Sequence, residues 1–153
     1  MSKPSYVYVT YIHTTPEKIW SAITDHEISR QYWHANVSDW KVGSRWEHQN
    51  RDGSNDVFIA GTVIESEPPR RLVISWANPG NAADPEKVSR VTFVIEPLKE
   101  GVVRLTVTHG DLEAGSDMEK GITRGWPLVL SSLKSWLETG KPVPFWLWPK
   151  DGR

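Results

Sequence analysis

The feature that most restricts the possible folds of this chain is a helical stripe near the C-terminus. Residues 116–139 place apolar side chains at steps of three and four residues, on one face of an α-helix. These are Ile122, Trp126, Val129, Leu130, Leu133, Trp136 and Leu137. Ser116 with Glu119 three residues later predicts the helix start, and Gly140 predicts its end. A helix of this length spans roughly 36 Å, so it needs a long apolar surface opposite it.

Three residues interrupt the regular composition of that helix. Pro127 lacks a backbone donor and disfavours helical geometry at the preceding residue, so we expect a kink near Trp126. Gly121 and Gly125 lie four residues apart and therefore share one face. Their missing side chains indicate either close packing of the helix on a strand or a widened space where a ligand can bind. The sequence leaves both interpretations open.

Before the helix, most of the chain reads as strands. Thr15 and Pro16 predict the start of a short helix that ends near Asp25, and residues 27–33 predict a second one. Period-two alternation predicts strands at 5–12, 45–49, 57–65, 71–77, 89–96 and 102–109. Short turns between successive strands predict an antiparallel meander. The expected fold is α+β: one curved antiparallel sheet of about six or seven strands, wrapped around the long C-terminal helix.

Composition argues against several classes of protein. A chain of 153 residues suits one domain, and a net charge of -1 without a basic cluster argues against nucleic acid as a partner. No apolar run approaches the roughly 18 residues of a membrane span. The first ten residues alternate like a strand and do not resemble a signal peptide. With no cysteine, disulfides and thiolate metal sites are excluded. We therefore expect a cytoplasmic protein without a membrane partner.

Motifs for nucleotide binding, zinc hydrolysis or serine hydrolysis are missing from the sequence. The histidines show no ligand spacing on a common helix face, so we predict neither a metal site nor a cofactor; they are His13, His26, His34, His48 and His109. His109 ends an apolar, inward-facing strand. It can be a core histidine bonded to a backbone carbonyl, a polar contact to a ligand, or a general acid/base. Because the inward faces carry no evident acid/base pair, we predict no catalytic residue.

Several stretches together resemble a known superfamily. They are residues 15–20, 22–25, 32–33, 40–44, 61–72, 75–76, and 125–126 with Leu133. The pattern covers roughly residues 5–140 and resembles the START/Bet v 1-like (SRPBCC) superfamily. It is most similar to the branch related to the activator of Hsp90 ATPase. The resemblance implies a helix-grip fold, which we expect to form one domain over residues 1–140.

The resemblance also implies an apolar cavity between the sheet and the long helix. From inward alternation and this picture, the predicted ligand-binding residues are Trp33, Trp46, His48, Val63, Trp76, Phe93, Val107, His109, Trp126 and Val129. We expect a pocket of several hundred Å³, the usual size of a ligand site. The leading hypothesis is non-enzymatic binding of a hydrophobic small molecule, whether lipid-like, polyketide-like or aromatic.

Two other functions stay open at this point. The superfamily includes polyketide cyclases, so a cyclase- or hydratase-type enzyme acting in the same cavity is one alternative. The relation to the Hsp90 activator implies the other, a co-chaperone or a different protein-interaction module. Residues 141–153 lie outside the resemblance and are rich in proline and tryptophan. We expect the apolar cluster at 145–148 to pack on the domain or on a partner, and a homodimer is one such arrangement.

Overall fold

The structure is a computed structural model that describes residues 3–144. Within these residues the chain forms seven strands and three α-helices. In chain order they are β1 (Tyr6–His13), α1 (Pro16–Thr24), α2 (His26–Tyr32), β2 (Ala35–Val37), β3 (Arg45–Gln49), β4 (Val57–Glu67), β5 (Arg71–Trp76), β6 (Ser89–Pro97), β7 (Val102–Gly110) and α3 (Asp117–Thr139).

The seven strands form a single antiparallel sheet in the order β1-β7-β6-β5-β4-β3-β2. Every neighbour from β2 to β7 follows chain order, as a meander does. The exception is β1, which pairs with β7 so that Tyr6 lies opposite His109. The predicted α+β helix-grip fold is confirmed: a curved antiparallel sheet, two short helices after the first strand, and a long C-terminal helix.

The two short helices start and stop where local hydrogen bonding dictates. Thr15 caps α1 by accepting a bond of 3.2 Å from the Lys18 amide. Asp25 ends α1 and also caps α2, because its carboxylate accepts a bond of 2.9 Å from the Glu27 amide. Strand β2 begins two residues after α2 and was not predicted, because three residues are too few to show a period-two pattern.

The long helix α3 is capped at both ends. The Ser116 hydroxyl accepts a bond of 3.1 Å from the Glu119 amide, as predicted. The reciprocal bond differs from a capping box, because the Glu119 carboxylate accepts from the Gly115 amide. Gly140 ends the helix with φ of +79°, a conformation that favours glycine. Pro127 lies inside the helix, which runs unbroken from Asp117 to Thr139.

After Gly140 the chain turns back along α3. The Ser135 hydroxyl donates a bond of 2.6 Å to the carbonyl of Lys141. The amide of Val143 then donates a bond of 3.2 Å to the Ser132 hydroxyl. The apolar cluster at 145–148 lies outside the described residues, so the packing of that tail stays a prediction.

Candidate functional site

A small pocket lies between α3 and the inner face of the sheet, and we call it the inner pocket. Its volume is about 50 Å³. A β-carbon added at Gly121 or Gly125 would meet no atom within 4 Å, so these two glycines hold space open along one side. Close packing of the glycine face on a strand is therefore wrong. The lining residues are Trp33, His48, Ile59, Trp76, Asp117, Met118, Gly121, Ile122, Gly125, Trp126 and Val129.

The expected pocket of several hundred Å³ at this position is wrong. The space is filled by indole rings that pack on one another and do not stand apart around a cavity. Trp76 is central: its ring centroid lies 6.3 Å from that of Trp33, 5.4 Å from that of Trp46 and 5.6 Å from that of Trp126. Such contacts stabilise a core beyond the burial of area alone. What remains is a residual space beside the two glycines.

The structure brings half of the ten predicted ligand-binding residues to the inner pocket. Those that line it are Trp33, His48, Trp76, Trp126 and Val129. The other five are buried in the surrounding core and do not line it: Trp46, Val63, Phe93, Val107 and His109. Trp46 illustrates the difference, because its Nε1–H donates a bond of 2.7 Å to the Ser75 carbonyl beside Gly61. A β-carbon at Gly61 would lie 2.0 Å from that same carbonyl oxygen, so strand and indole meet there without spare space.

His109 is a core histidine with both ring nitrogens bonded to side chains. Trp126 Nε1–H donates a bond of 3.0 Å to His109 Nδ1, which therefore carries no proton. His109 Nε2–H then donates to the Ser89 hydroxyl at 2.7 Å, and that hydroxyl donates to the Trp76 carbonyl. Burial lowers the pKa of His109 to about 3. A neutral imidazole with two protein partners favours a structural role over a ligand contact or a general acid/base.

His48 is also neutral, but only one of its nitrogens has a hydrogen-bond partner among residues 3–144. Its Nδ1 lies 2.7 Å from Asn36 Oδ1. The Asn36 amide nitrogen donates to the Ile23 carbonyl, so Oδ1 is the acceptor and His48 Nδ1 carries the proton. Burial lowers the pKa of His48 well below 6.5, and the nearby His34 and Arg51 lower it further. His48 thus offers Nε2 as a hydrogen-bond acceptor.

A second, wider pocket adjoins the first at the N-terminal end of α3, and we call it the outer pocket. Its volume is about 610 Å³, and polar and charged side chains form much of its lining. Trp76, Asp117 and Met118 line both pockets and so lie between them. Trp76 Nε1–H donates to Met118 Sδ at 3.3 Å, and thioether sulfur is a weak acceptor.

Sequence reasoning missed Asp117 and Met118 as site residues. Both lie in the first turn of α3, and Asp117 is four and eight residues before Gly121 and Gly125. That spacing places it on the glycine face, so the glycines were a usable signal. Among residues 3–144, no group of three or more His, Asp or Glu side chains is arranged to hold a metal ion. None of the helices in that part of the chain is long and apolar enough to cross a membrane.

Comparison with family models gives one match. The model described as activator of Hsp90 ATPase homolog 1-like protein matches residues 13–138, which is most of the chain. The chain belongs to the activator of Hsp90 ATPase homolog 1-like family. The matched region runs from the end of β1 to the last turn of α3, so it contains the whole lining of the inner pocket and that of the outer pocket except Lys3. The comparison with curated proteins found no match.

Solved structures of the same fold come from several bacteria. CalU16 from Micromonospora echinospora has a TM-score of 0.72 at 22% identity, over 95% of this chain and 80% of that one. Protein MLL2253 from Mesorhizobium loti has a TM-score of 0.72 at 24% identity, over 88% and 96%. The Aha1 dimer from Colwellia psychrerythraea has a TM-score of 0.70 at 23% identity, over 90% and 98%. At this identity the likeness shows the fold alone.

Proposed function

We propose that this family member binds a small hydrophobic molecule with an aromatic ring and does not transform it. The observation that carries the proposal is the space beside Gly121 and Gly125, which faces the indoles of Trp33, Trp76 and Trp126. Glycine inside a helix destabilises it by roughly 0.5–1 kcal/mol relative to alanine. Here a larger side chain would fit, so the helix keeps the space open at a cost in stability.

The two pockets together supply the volume that such a ligand needs. By the same measure a water molecule needs roughly 15 Å³ and a cavity of about 150 Å³ holds benzene, so the inner pocket of about 50 Å³ has room for a few waters and must widen to admit a ring. The outer pocket, at about 610 Å³, lies within the usual range for ligand sites. Met118 lies between them, and the flexible methionine side chain adapts readily to a ligand. The ring enters the inner pocket when Met118 moves aside, and its substituents extend into the outer pocket.

The cyclase- or hydratase-type alternative has less support. Proton transfer at neutral pH needs a group that titrates near that pH. Burial keeps His48 and His109 neutral, and protein partners already use both nitrogens of His109. Asp117 contributes a carboxylate to the lining of both pockets. No described hydrogen bond pairs Asp117 with either histidine.

Calorimetric titration with toluene, together with native mass spectrometry of the purified protein, tests the proposal. We expect toluene to bind, and Gly125→Leu to weaken its binding at least tenfold because the leucine side chain fills the inner pocket. Gly80→Leu is the matched control, since Gly80 also has open space around it but lies outside the lining of both pockets. No binding of toluene and no co-purified small molecule would contradict the proposal.

A second candidate, self-association, rests on the outer face of β1. Val7, Val9 and Tyr11 are 62%, 51% and 49% exposed and lie on one side of this strand. The homologous Colwellia structure is described as a dimer, so a second copy of this chain is the partner we consider. Sedimentation at increasing concentration should then reveal a dimer that Val9→Lys abolishes. A monomer at every concentration would contradict this candidate.

A further inference from the structure

Two polar atoms of the inner pocket have no hydrogen-bond partner within residues 3–144. The first is His48 Nε2, the acceptor nitrogen that remains because Nδ1–H donates to Asn36. The second is Trp33 Nε1–H, which takes part in none of the hydrogen bonds made by the described residues, although the side chain is only 5% exposed. The two rings are neighbours, with centroids 4.5 Å apart, and both line the pocket.

The other indoles near the pocket are already bonded within the protein. Trp46 donates to the Ser75 carbonyl, and Trp126 donates to His109. Trp33 Nε1 and His48 Nε2 are not among the buried side-chain atoms without a partner in the described residues, so both are open to solvent. A ligand that displaces water from them loses affinity unless it supplies the same hydrogen bonds. A molecule bound beside these two rings must therefore supply one hydrogen-bond acceptor for Trp33 Nε1–H and one donor for His48 Nε2.

We propose that Trp33 and His48 together bind the hydroxyl group of a phenolic ring. A hydroxyl is the smallest group that both donates and accepts. Its O–H donates to His48 Nε2, and its oxygen accepts from Trp33 Nε1–H. The ring lies in the space beside Gly121 and Gly125, with the Trp76 and Trp126 indoles nearby. This assignment rests on the proposed function and names the chemical class of its ligand.

Charge excludes the nearest competitors of a phenol. Burial keeps His48 neutral, and the described lining of the inner pocket contains the carboxylate of Asp117 but no lysine or arginine. A carboxylate or phenolate ligand would therefore be an unpaired anion there, which is strongly disfavoured. An aryl ether accepts a hydrogen bond but cannot donate one, so it leaves His48 Nε2 unpaired. An aliphatic alcohol satisfies both atoms but lacks the flat face that packs on indoles.

Phenol and toluene form a matched pair of probes, because they differ by a hydroxyl in place of a methyl group. We expect phenol to bind about tenfold more tightly than toluene, the factor that corresponds to one net hydrogen bond. We expect anisole to lose that preference. In ¹⁵N spectra of the histidines, phenol should shift His48 Nε2 and leave its Nδ1–H tautomer unchanged, whereas toluene should not shift it.

Two variants connect the preference to the assigned atoms. Trp33→Phe removes the donor and keeps an aromatic ring, so it should reduce the preference for phenol over toluene at least threefold with little effect on toluene. His48→Phe should abolish the preference, and Trp33→Phe keeps the test decisive if His48→Phe does not fold. Trp136→Phe is the control, because Trp136 is a half-buried indole outside the inner pocket, and it should change neither affinity.

The outcomes separate this inference from the function on which it rests. Equal binding of phenol and toluene would overturn the hydroxyl assignment while leaving aromatic binding in place. A preference for phenol that survives in both Trp33→Phe and His48→Phe would also overturn it. Failure of both probes to bind would overturn the proposed function itself.

Discussion

At the scale of single residues, two buried imidazoles hold opposite tautomers. His48 carries its proton on Nδ1, because Asn36 presents an acceptor there. His109 carries its proton on Nε2, because the Trp126 indole donates to Nδ1. Each tautomer is set by a partner distant in sequence, so alternation could place His48 and His109 on the inward face but could not assign their roles.

These histidines make the stability of the protein dependent on pH. In the unfolded chain they bind a proton near pH 6.5, whereas burial lowers the folded pKa of His109 to about 3 and that of His48 well below 6.5. Below pH 6.5 the two histidines therefore bind protons in the unfolded state but not in the folded state. We expect the free energy of unfolding to be constant just above pH 6.5 and to fall below it, by up to about 1.4 kcal/mol per pH unit for each histidine.

Urea denaturation between pH 8 and pH 4 measures this dependence. His109→Gln should reduce the slope relative to that of the unaltered protein. A stability that stays constant from pH 7 to pH 4 would contradict the prediction.

Replacement of His109 by phenylalanine tests its structural role. His109→Phe leaves the buried Trp126 Nε1–H without an acceptor, so we expect the free energy of unfolding to decrease by about 1–3 kcal/mol. Ser89→Ala removes the other partner and should also destabilise the protein, because both His109 Nε2–H and the Trp76 carbonyl lose their bond to this hydroxyl. If His109→Phe left the stability unchanged and weakened ligand binding, His109 would be a ligand contact and not a structural residue.

At the scale of elements, α3 shows which structural features the periodicity of the sequence can predict. The stripe of apolar residues and both caps predicted its bounds to within one residue, since hydrogen bonding at helix ends is local. Six of the seven strands described were predicted to within two residues, because period-two alternation and turn residues are also local signals, whereas β2 was missed. The volume of the pocket was not predictable, because alternation states which face a side chain occupies and not whether rings from opposite elements touch. Phe93 and Val107 face inward as expected, yet they lie in the core outside the pocket lining.

The glycine face of α3 should respond to substitution in opposite directions for stability and binding. Gly125→Ala adds a β-carbon that meets nothing within 4 Å, and alanine favours the helix. We expect the free energy of unfolding to increase by roughly 0.5–1 kcal/mol and the affinity for toluene to decrease. Thermal denaturation and calorimetric titration of the same sample measure the two effects.

Gly61→Ala in β4 provides the contrast, because the added atom would lie 2.0 Å from the Ser75 carbonyl oxygen and 2.7 Å from Trp46 Nε1. Backbone and indole would both have to move, so this variant should be strongly destabilised. If Gly125→Ala proves as destabilising as Gly61→Ala, the space beside α3 is not open.

At the scale of the whole molecule, the C-terminal segment continues the packing of α3. Ser132 joins three parts of the chain, because its hydroxyl donates to the Tyr32 carbonyl and accepts from the Val143 amide. We propose that the residues beyond 144 continue to pack on this domain, since their apolar cluster gains roughly 1.5–3 kcal/mol for each large side chain that is buried.

Truncation after Gly140 should therefore lower the melting temperature, by roughly 2–4 °C for each kcal/mol lost. Truncation after Pro144 separates the contribution of the described turn from that of the tail. Limited proteolysis of the full chain should show a protected tail, and protection independent of protein concentration would place it on its own domain. Rapid cleavage, with no change in melting temperature after either truncation, would contradict this proposal.

The pairing of β1 with β7 has a consequence for the order of synthesis. β1 leaves the ribosome first, yet its sheet partner is among the last elements to be made, and Glu138 of α3 accepts from the His13 amide later still. At roughly 5–20 residues per second, the wait is on the order of ten seconds. During this wait, residues 6–11 have no strand to pair with. Their alternating tyrosine and valine side chains favour β-structure and carry no charge, a composition that promotes aggregation. We expect the yield of this protein in a cell to depend on what shields that nascent strand until residues 102–110 emerge.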